Sequence, residues 1–421
     1  MDINSGDTAW VLASAALVLF MTPGLAIFYG GMVRAKSALN MMMMSFAAMG
    51  VTSIIWVLYG YSLAFGKSHG GLIGGFDHLG LANTLDQVTG PPGHRIPTLA
   101  FAMFQMTFAI ITVALLSGAI ADRAKYGSWV VFVAIWVSLV YLPIAHWVFA
   151  SQNGTGGWII DRIGALDFAG GTVVEINSGA AALALAIVLG KRDGFRRDPM
   201  RPHNMPLVLL GAGMLWFGWF GFNAGSALSA GSLAATAMIN TQIAAAAASM
   251  TWIAFEKKRD GKATTLGVAS GAIAGAVAIT PACGFVNPLG ALAIGLIAGV
   301  LSAWAVARKY KLGYDDSLDV VGIHGVGGIL GMLSIGFLAT LTANANGGTG
   351  FLFGGGVSLL TKQIIAIAAI AAFSFIATYL IATAISKTIG FRAYRDDELD
   401  GLDTTFHAES AYDITGNSNR Y

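Results

Sequence analysis

The first residue that could do chemistry is an acid inside an apolar segment. Glu175 lies in "GGTVVEINSGAAALALAIVLG", residues 170–190, where nearly every neighbour is glycine or aliphatic. A carboxylate in such surroundings must be neutral, hydrated or paired. Its natural partner is His324, the only other ionisable residue clearly inside an apolar segment. Such a pair can pass protons or bind a small cation, and it can also be an inert buried pair; we expect the functional role.

Three further ionisable residues lie near the ends of apolar segments. Asp167 begins the segment of Glu175, and Asp319 begins the segment of His324. A carboxylate at a helix start can accept free N–H groups and interact with the helix dipole. His146 follows Pro143 near a segment end, as a hydrogen-bonded structural histidine would. We expect these three residues to be structural.

Aromatic side chains form a second group. "FQMTF" places Phe104 and Phe108 one helical turn apart, and "WFGFNAGS" contains Trp219, Phe222 and Ser226. An aromatic face beside a hydroxyl suits a small cation that has lost water, through cation–π attraction and one oxygen acceptor. Core packing explains the same spacing, so the spacing alone does not distinguish a cation site from core packing.

The elements that position these residues are membrane-spanning helices. The chain of 421 residues is 56% hydrophobic and only 11% charged, and its apolar runs match the thickness of a bilayer. The predicted fold class is therefore all-α, a polytopic membrane protein with eleven transmembrane helices. The predicted spans are 8–32, 38–65, 98–120, 127–149, 168–190, 205–226, 231–255, 264–280, 288–307, 320–341 and 362–386. The first is too long for a signal-peptide core and lacks an A-x-A-like site, so we expect it to be retained.

The basic residues predict the orientation. With the N-terminus outside, twenty of the 24 lysines and arginines, among them Arg420, fall on the inner side. The four on the outer side are Lys67, Arg95, Arg162 and Lys362. This positive-inside bias predicts an outer N-terminus and a cytoplasmic C-terminus. The net charge of +2 is thus a matter of topology and gives no indication of nucleic-acid binding.

The predicted domain organisation is one transmembrane domain, residues 1–386, and a cytoplasmic tail, residues 387–421. The first ten spans divide into two fives, about 8–190 and 205–341, and 362–386 is the eleventh helix. A five-helix unit ends opposite its start, so the second unit is inverted, an arrangement that often places a transport path between the halves. The 66–97 connection is expected to be a loop. The single cysteine, Cys283, excludes an internal disulfide and a CxxC site, and we predict no cofactor or metal.

Several motifs resemble one family throughout the chain. "YLPIAHW", "DFAGGTVV", "PHN", "WFGFNAGS", "TPACG" and "DVVGIHGVGGI" are similar to the ammonium transporter, methylammonium permease and Rhesus family. The resemblance extends from "TPGLAIFYGGMVR" near the start to "GLDTTFHAESAYD" in the tail. It implies a homotrimer with one pore per subunit in the plasma membrane, the inner membrane in bacteria. It also implies transport of ammonium or ammonia, leaves methylammonium open, and raises a cytoplasmic P-II-type regulator as a partner.

The resemblance also assigns the site. It implies an outer ammonium site at Phe104, Phe108, Phe149 and Ser226, a gate of Phe108 and Phe222, and support from Asp167. Glu175 and His324 match the two positions that usually carry twin histidines, and we expect them to relay a proton.

Two departures from the family pattern bear on the site. Phe149 replaces a usual tryptophan, which weakens the cation–π site or makes it depend on Trp147. Glu175 replaces the first pore histidine.

Besides further movement of the cation itself past an ionised Glu175, three alternatives to electrogenic transport of ammonia with a separately relayed proton stay open. The first is an electroneutral ammonia channel. The second is an ammonium sensor that binds but transports little, although a sensor usually carries an added domain. The third is an intramembrane enzyme, for which Ser226 with His324 is the only conceivable nucleophile and base. We expect a transporter rather than an enzyme.

Overall fold

Eleven apolar helices make up most of the molecule. The structure, a computed structural model, describes residues 2–412; Arg420 and the last residue of the tail motif, Asp413, lie outside the described residues. The helices are α1 (Ser5–Met32), α2 (Ala35–Phe65), α3 (Thr98–Ile120), α4 (Tyr126–Phe149), α5 (Gly171–Leu189), α6 (Met205–Gly225), α7 (Ser232–Asp260), α8 (Thr265–Ile279), α9 (Pro288–Leu312), α10 (Val321–Leu338) and α11 (Ser358–Thr388). Each coincides with one predicted span, so the all-α polytopic fold is confirmed. The limits of the two repeats and of the tail remain predictions.

Helix α8 is the shortest of the eleven, with 15 residues. Gly271 and Gly275 let it approach α7 closely, because a β-carbon on Gly275 would lie 2.3 Å from the carbonyl oxygen of Ala244. This is the small-residue packing that their spacing predicts. Turns at residues 280–285 follow the helix and contain the buried, free Cys283.

The helices that carry Glu175 and His324 both begin irregularly. The first turns of α5, Gly171–Ile176, and of α10, Val321–Gly325, are π-helical. Such turns are rare and occur frequently at functional sites. The two helices cross at glycines, since a β-carbon on Gly179 would lie 2.2 Å from the Cα of Gly325. Glycine at this crossing therefore brings the pair of ionisable side chains into the same layer of the molecule.

The longest non-helical segment of the described chain is residues 66–97, on one face of the bundle. We call it the outer face, after the orientation predicted from the basic residues, and the opposite face the inner face. The segment is mostly loop, as predicted, with two short antiparallel pairs: β1 (Ser68–His69) with β2 (Ile73–Gly74), and β3 (Val88–Thr89) with β4 (Ile96–Pro97). Short helical turns are Leu79–Leu81, Trp158–Ile163 and Phe351–Phe353.

A buried ion network holds the inner face together. Arg192 Nη2 lies 2.9 Å from Asp315 Oδ1, and Arg192 Nη1 lies 3.3 Å from Asp122 Oδ2. Burial alone would raise the pKa of Asp315, but hydrogen bonds from Arg192 and the charges of Arg123 and Arg192 hold it below its ordinary value. The network fixes the connection before α10 to the connections after α3 and α5.

The start of α10 is held by a second carboxylate. Asp316 Oδ2 accepts the N–H of Val321 at 2.7 Å, while its buried Oδ1 has no partner among the residues the structure describes. Burial raises the pKa of Asp316 to about 6. Asp319, expected as a cap or anchor, forms an ion pair with Lys309 and therefore acts as the anchor.

The described part of the tail docks on the inner face. It contains α12 (Arg395–Asp400) and α13 (Leu402–His407). The carboxylate of Asp403 accepts the N–H groups of Leu39 and Asn40 at 3.0 and 2.8 Å, near the start of α2. The hydroxyl of Tyr412 lies 2.9 Å from His203 Nε2 in the connection before α6.

Candidate functional site

Glu175 and His324 meet inside the bundle. His324 Nδ1 lies 2.6 Å from Glu175 Oε2, and both side chains are buried. Each stands in the π-helical first turns of its own helix, α5 or α10. The sequence alone does not show whether these residues meet, because their depths along the two helices are not fixed by it. The structure places them in direct contact. A proton in this hydrogen bond can reside on the imidazole or on the carboxyl group, so the pair is able to exchange it.

The pair lines a narrow apolar cavity of about 20 Å³, room for roughly one water-sized molecule. The cavity extends from Phe222 past Glu175 and His324 to Tyr29 and Leu318. The remaining lining residues are apolar or aromatic: Met21, Leu25, Phe28, Ile111, Leu115, Val174, Leu215, Trp219, Ile273 and Ile323. A charged molecule in this cavity would lose most of its hydration without recovering it from the wall.

Two other polar groups on the cavity wall are engaged elsewhere. The indole N–H of Trp219 donates to Thr280 Oγ1 at 2.9 Å. The hydroxyl of Tyr29 donates to the carbonyl oxygen of Leu115 at 3.2 Å. Glu175 Oε1, in contrast, is buried without a hydrogen-bond partner among residues 2–412. The polar chemistry available to a molecule in the cavity is therefore concentrated at the Glu175–His324 pair.

Three phenyl rings lie at one end of the cavity. The centroids of Phe108 and Phe222 are 4.3 Å apart and those of Phe104 and Phe108 are 4.9 Å apart. All three rings are buried. The predicted spacing on α3 and the position on α6 thus bring the three rings together, with Phe104 edge-on to Phe108 at 65° and Phe108 over Phe222 at 33°. We call the Phe108–Phe222 pair, of which Phe222 also lines the cavity, the phenyl stack.

Ser226 and Phe149 stand at helix ends beyond the stack. Ser226 follows α6 and its hydroxyl donates to the carbonyl oxygen of Phe222 at 2.8 Å, which leaves its oxygen lone pairs free to accept. Phe149 ends α4 and its ring lies beside Gly170, where a β-carbon would be 3.6 Å from Cζ. Both residues are half-buried. The structure therefore associates Ser226 directly with Phe222, and Phe149 with the start of α5.

The indole of Trp147 is engaged by other segments. Its N–H donates to the carbonyl oxygen of Leu72 at 2.7 Å. Its ring packs against Trp158 and Phe373, with centroids 5.6 and 4.7 Å away. The indole is thus engaged in packing toward the 66–97 segment and α11.

Asp167 holds the start of α5. Its two carboxylate oxygens accept the N–H groups of Gly170, Gly171 and Thr172 at 2.7–2.8 Å and the hydroxyl of Thr172 at 2.6 Å. These bonds order the turn from which the helix with Glu175 begins. The contacts are those of a helix cap.

The other candidate histidine is structural, and the candidate hydrolytic pair is not assembled. His146 Nδ1 lies 2.8 Å from the carbonyl oxygen of Ala64 and Nε2 lies 2.8 Å from Ser68 Oγ. Ser226 bonds to Phe222 while His324 bonds to Glu175. Among the residues that the structure describes, Ser226 and His324 share no hydrogen bond, so no nucleophile is connected to a base here.

The sequence analysis missed Tyr29, Trp219's partner Thr280 and the π-helical turns. Tyr29 lies in "AIFYGG" and differs from the preceding Phe28 only by one hydroxyl. Nothing in the local pattern shows that it faces the cavity, because that depends on the crossing of α1 with α3. The π-helical turns lie in stretches rich in glycine and β-branched residues, a weak signal without the tertiary contacts.

Comparisons with known proteins agree on one family. A model of the Ammonium Transporter Family matches residues 9–412. The ammonium transporter of Mycobacterium tuberculosis is 52% identical, over 98% of this chain and 91% of its own length. That of Bacillus subtilis is 49% identical, over 97% and 99%.

Solved structures give the same result. Candida albicans Mep2 aligns with a TM-score of 0.86 at 33% identity, covering 99% of this chain and 93% of that one. A protein described as a sensor Amt protein aligns with a TM-score of 0.86 at 30% identity, covering 96% and 98%.

Proposed function

The chain belongs to the ammonium transporter family, and we propose that it recruits NH4⁺ at its outer aromatic site, removes one proton and conducts NH3 through the apolar cavity. The observation that carries this proposal is the contact of Glu175 with His324 in the wall of that cavity. Four groups of residues support the proposal: the outer site, the gate, the apolar wall of the cavity and the Glu175–His324 pair.

Recruitment takes place at Phe104, Phe108, Phe149 and Ser226. Aromatic faces attract a cation through their quadrupoles, and the serine oxygen accepts one N–H of ammonium. The free lone pairs of the Ser226 hydroxyl support this role. With phenyl at position 149 and Trp147 bonded elsewhere, recruitment is weaker than with an indole at that place.

The gate consists of Phe108 and Phe222. Their stacked, buried rings separate the outer site from the cavity. Asp167 supports the recruitment site through the start of α5 without binding the cation.

Below the gate the transported species is ammonia. The apolar wall supplies no replacement for the hydration of a cation, so the neutral molecule passes at a far smaller desolvation penalty. The deprotonation step is complete before the molecule reaches Tyr29 and Leu318 at the other end.

The released proton follows through Glu175 and His324, which makes transport electrogenic. The 2.6 Å hydrogen bond lets the proton move between carboxylate and imidazole, and the free Oε1 of Glu175 accepts the incoming one. An electroneutral ammonia channel is the alternative in which the same pair only shapes the cavity. A sensor is the alternative favoured by the similarity to the sensor Amt protein.

The cellular setting follows the same proposal. The functional unit is a homotrimer with a pore in each subunit, in the bacterial inner membrane, with the N-terminus outside and the tail in the cytoplasm. A P-II-type regulator binds at the inner face, where basic residues are concentrated. Methylammonium is a candidate second substrate.

The deciding experiment uses the full chain in sealed proteoliposomes. An ammonium jump is applied while membrane current and luminal pH are recorded, with empty liposomes and a potassium jump as controls. We expect a saturating inward current. Luminal alkalinisation without current would refute the relay and establish an ammonia channel, and ammonium binding without either signal would establish a sensor.

A further inference from the structure

We infer that Asp7 is a positioning residue that holds the two walls of the outer ammonium site at a fixed separation. The inference rests on the proposed function, because it concerns the recruitment site. Asp7 lies in the first turn of α1, away from the residues assigned to the cation. Its carboxylate is nevertheless buried, and both oxygens are engaged with other segments.

The first oxygen holds the segment that carries Ser226. Asp7 Oδ1 accepts the N–H of Ala230 at 2.7 Å. Between these positions Leu228 adopts a φ of +53°, which a branched side chain rarely takes. Such a backbone persists only when its surroundings fix it. The hydrogen bond to Asp7 supplies one of those restraints.

Trp10 restrains the same segment on its other side. Its indole N–H donates to the carbonyl oxygen of Ala224 at 3.1 Å. Asp7 and Trp10 are three residues apart and therefore lie on one face of α1. Together they hold the chain on both sides of Ser226, at Ala224 and at Ala230.

The second oxygen of Asp7 holds the segment that leads into α3. Asp7 Oδ2 lies 2.8 Å from Nδ1 of His94, whose side chain is half-exposed. Two residues later β4 begins, and it continues directly into α3, which carries Phe104 and Phe108. Asn4 adds two bonds to the same segment, from its N–H to the Arg95 carbonyl at 2.9 Å and from Nδ2 to the Gly93 carbonyl at 2.9 Å.

The carboxylate of Asp7 thus joins the two walls of the outer site, the segment that carries Ser226 and the helix that carries Phe104 and Phe108. An ammonium ion must contact both at once, because cation–π attraction and the oxygen acceptor each act over a short range. A displacement of either wall weakens capture before it affects the Glu175–His324 pair. The Asp7 bridge is therefore expected to govern the half-saturating ammonium concentration and to leave the maximal rate nearly unchanged.

The test measures ammonium-evoked current against concentration in proteoliposomes for four variants. Asp7→Ala removes both bonds and is expected to raise the half-saturating concentration about tenfold, since hydrogen bonds to a charged group are the stronger class. Asp7→Asn keeps an oxygen for the Ala230 N–H and is expected to restore most of the affinity. His94→Ala and Trp10→Phe remove one restraint each and are expected to raise it about threefold.

Asp77→Asn is the matched control, because Asp77 is an exposed outer-face carboxylate that accepts the N–H of Lys67. It should leave the curve unchanged. An unchanged half-saturating concentration in both His94→Ala and Trp10→Phe would overturn the inference, as would a fall in maximal rate alone. If Asp7→Ala does not fold, these two variants decide. A wild-type chain without any ammonium response would refute the proposed function instead.

Discussion

Replacing Glu175 by glutamine separates proton transfer from packing. Glutamine has nearly the same volume and keeps an oxygen that can accept from His324 Nδ1, which now lies 2.6 Å from the carboxylate. A hydrogen bond to a charged group contributes about 1.5–3 kcal/mol and a neutral one about 1 kcal/mol. The expected loss in the free energy of unfolding is therefore about 0.5–2 kcal/mol, which leaves the protein folded.

The expected effect on transport is much larger. An amide does not take up and release a proton near neutral pH, and a positioned proton-transfer group contributes about a hundredfold to ten-thousandfold to a rate. The ammonium-evoked current should fall at least about a hundredfold. Luminal alkalinisation driven by an ammonia gradient should persist, because the apolar wall of the cavity is unchanged.

The assay compares current and luminal pH in proteoliposomes that contain equal amounts of folded protein. Glu256→Gln serves as the control, because Glu256 accepts from Trp252 and Thr264 outside the cavity. If Glu175→Gln conducts with the wild-type amplitude and pH dependence, the relay does not exist. If both signals vanish in folded protein, Glu175 is needed for ammonia passage itself and the division of roles is wrong.

Three further predictions concern other parts of the molecule. Phe149→Trp should lower the half-saturating ammonium concentration about threefold, because indole is the stronger cation–π partner by about 0.5–1 kcal/mol; concentration curves of the current check this, and an increase would contradict it. Gly179→Ala should lower the thermal stability in detergent by about 1–3 kcal/mol, since the added methyl group would lie 2.2 Å from Gly325 Cα, whereas Gly213→Ala has no atom within 4 Å and should be neutral. Burial raises the pKa of Asp316 to about 6, so its protonation should stabilise the folded state as the pH falls from about 7 toward 4, by roughly 2–3 kcal/mol in total. Asp316→Asn should remove that part of the pH dependence in unfolding measured between pH 4 and 7, and an unchanged slope would exclude a raised pKa.

The sequence predicted the helices because bilayer thickness sets the length of an apolar run. Each of the eleven predicted spans has a counterpart in the structure, although the sequence alone does not fix the residue at which α10 begins. That uncertainty also left the contact of Glu175 with His324 open. The contact depends on two π-helical starts and a crossing at Gly179, which are products of tertiary packing.

Long-range contacts account for what the sequence did not predict. The stack of Phe108 on Phe222 joins α3 to α6, and no local pattern specifies that register. Trp147 is close to Phe149 in sequence but bonds to Leu72. The docking of Asp403 at the start of α2 joins residues more than 360 positions apart. Composition and periodicity define the helices and single out Glu175 and His324, whereas the assignments of the outer site and the gate came from motifs; all these roles remain predictions.

The phenyl stack has a consequence for throughput. Rings whose centroids are 4.3 Å apart and that are buried among helices leave no standing opening for a molecule. If these rings form the proposed gate, each passage requires them to part, and collective motions of packed elements take microseconds to milliseconds. Under that proposal the flux of one subunit is limited to about a thousand to a million molecules per second. Raising the ammonium gradient beyond that point leaves the rate of ring opening unchanged, so the flux no longer increases.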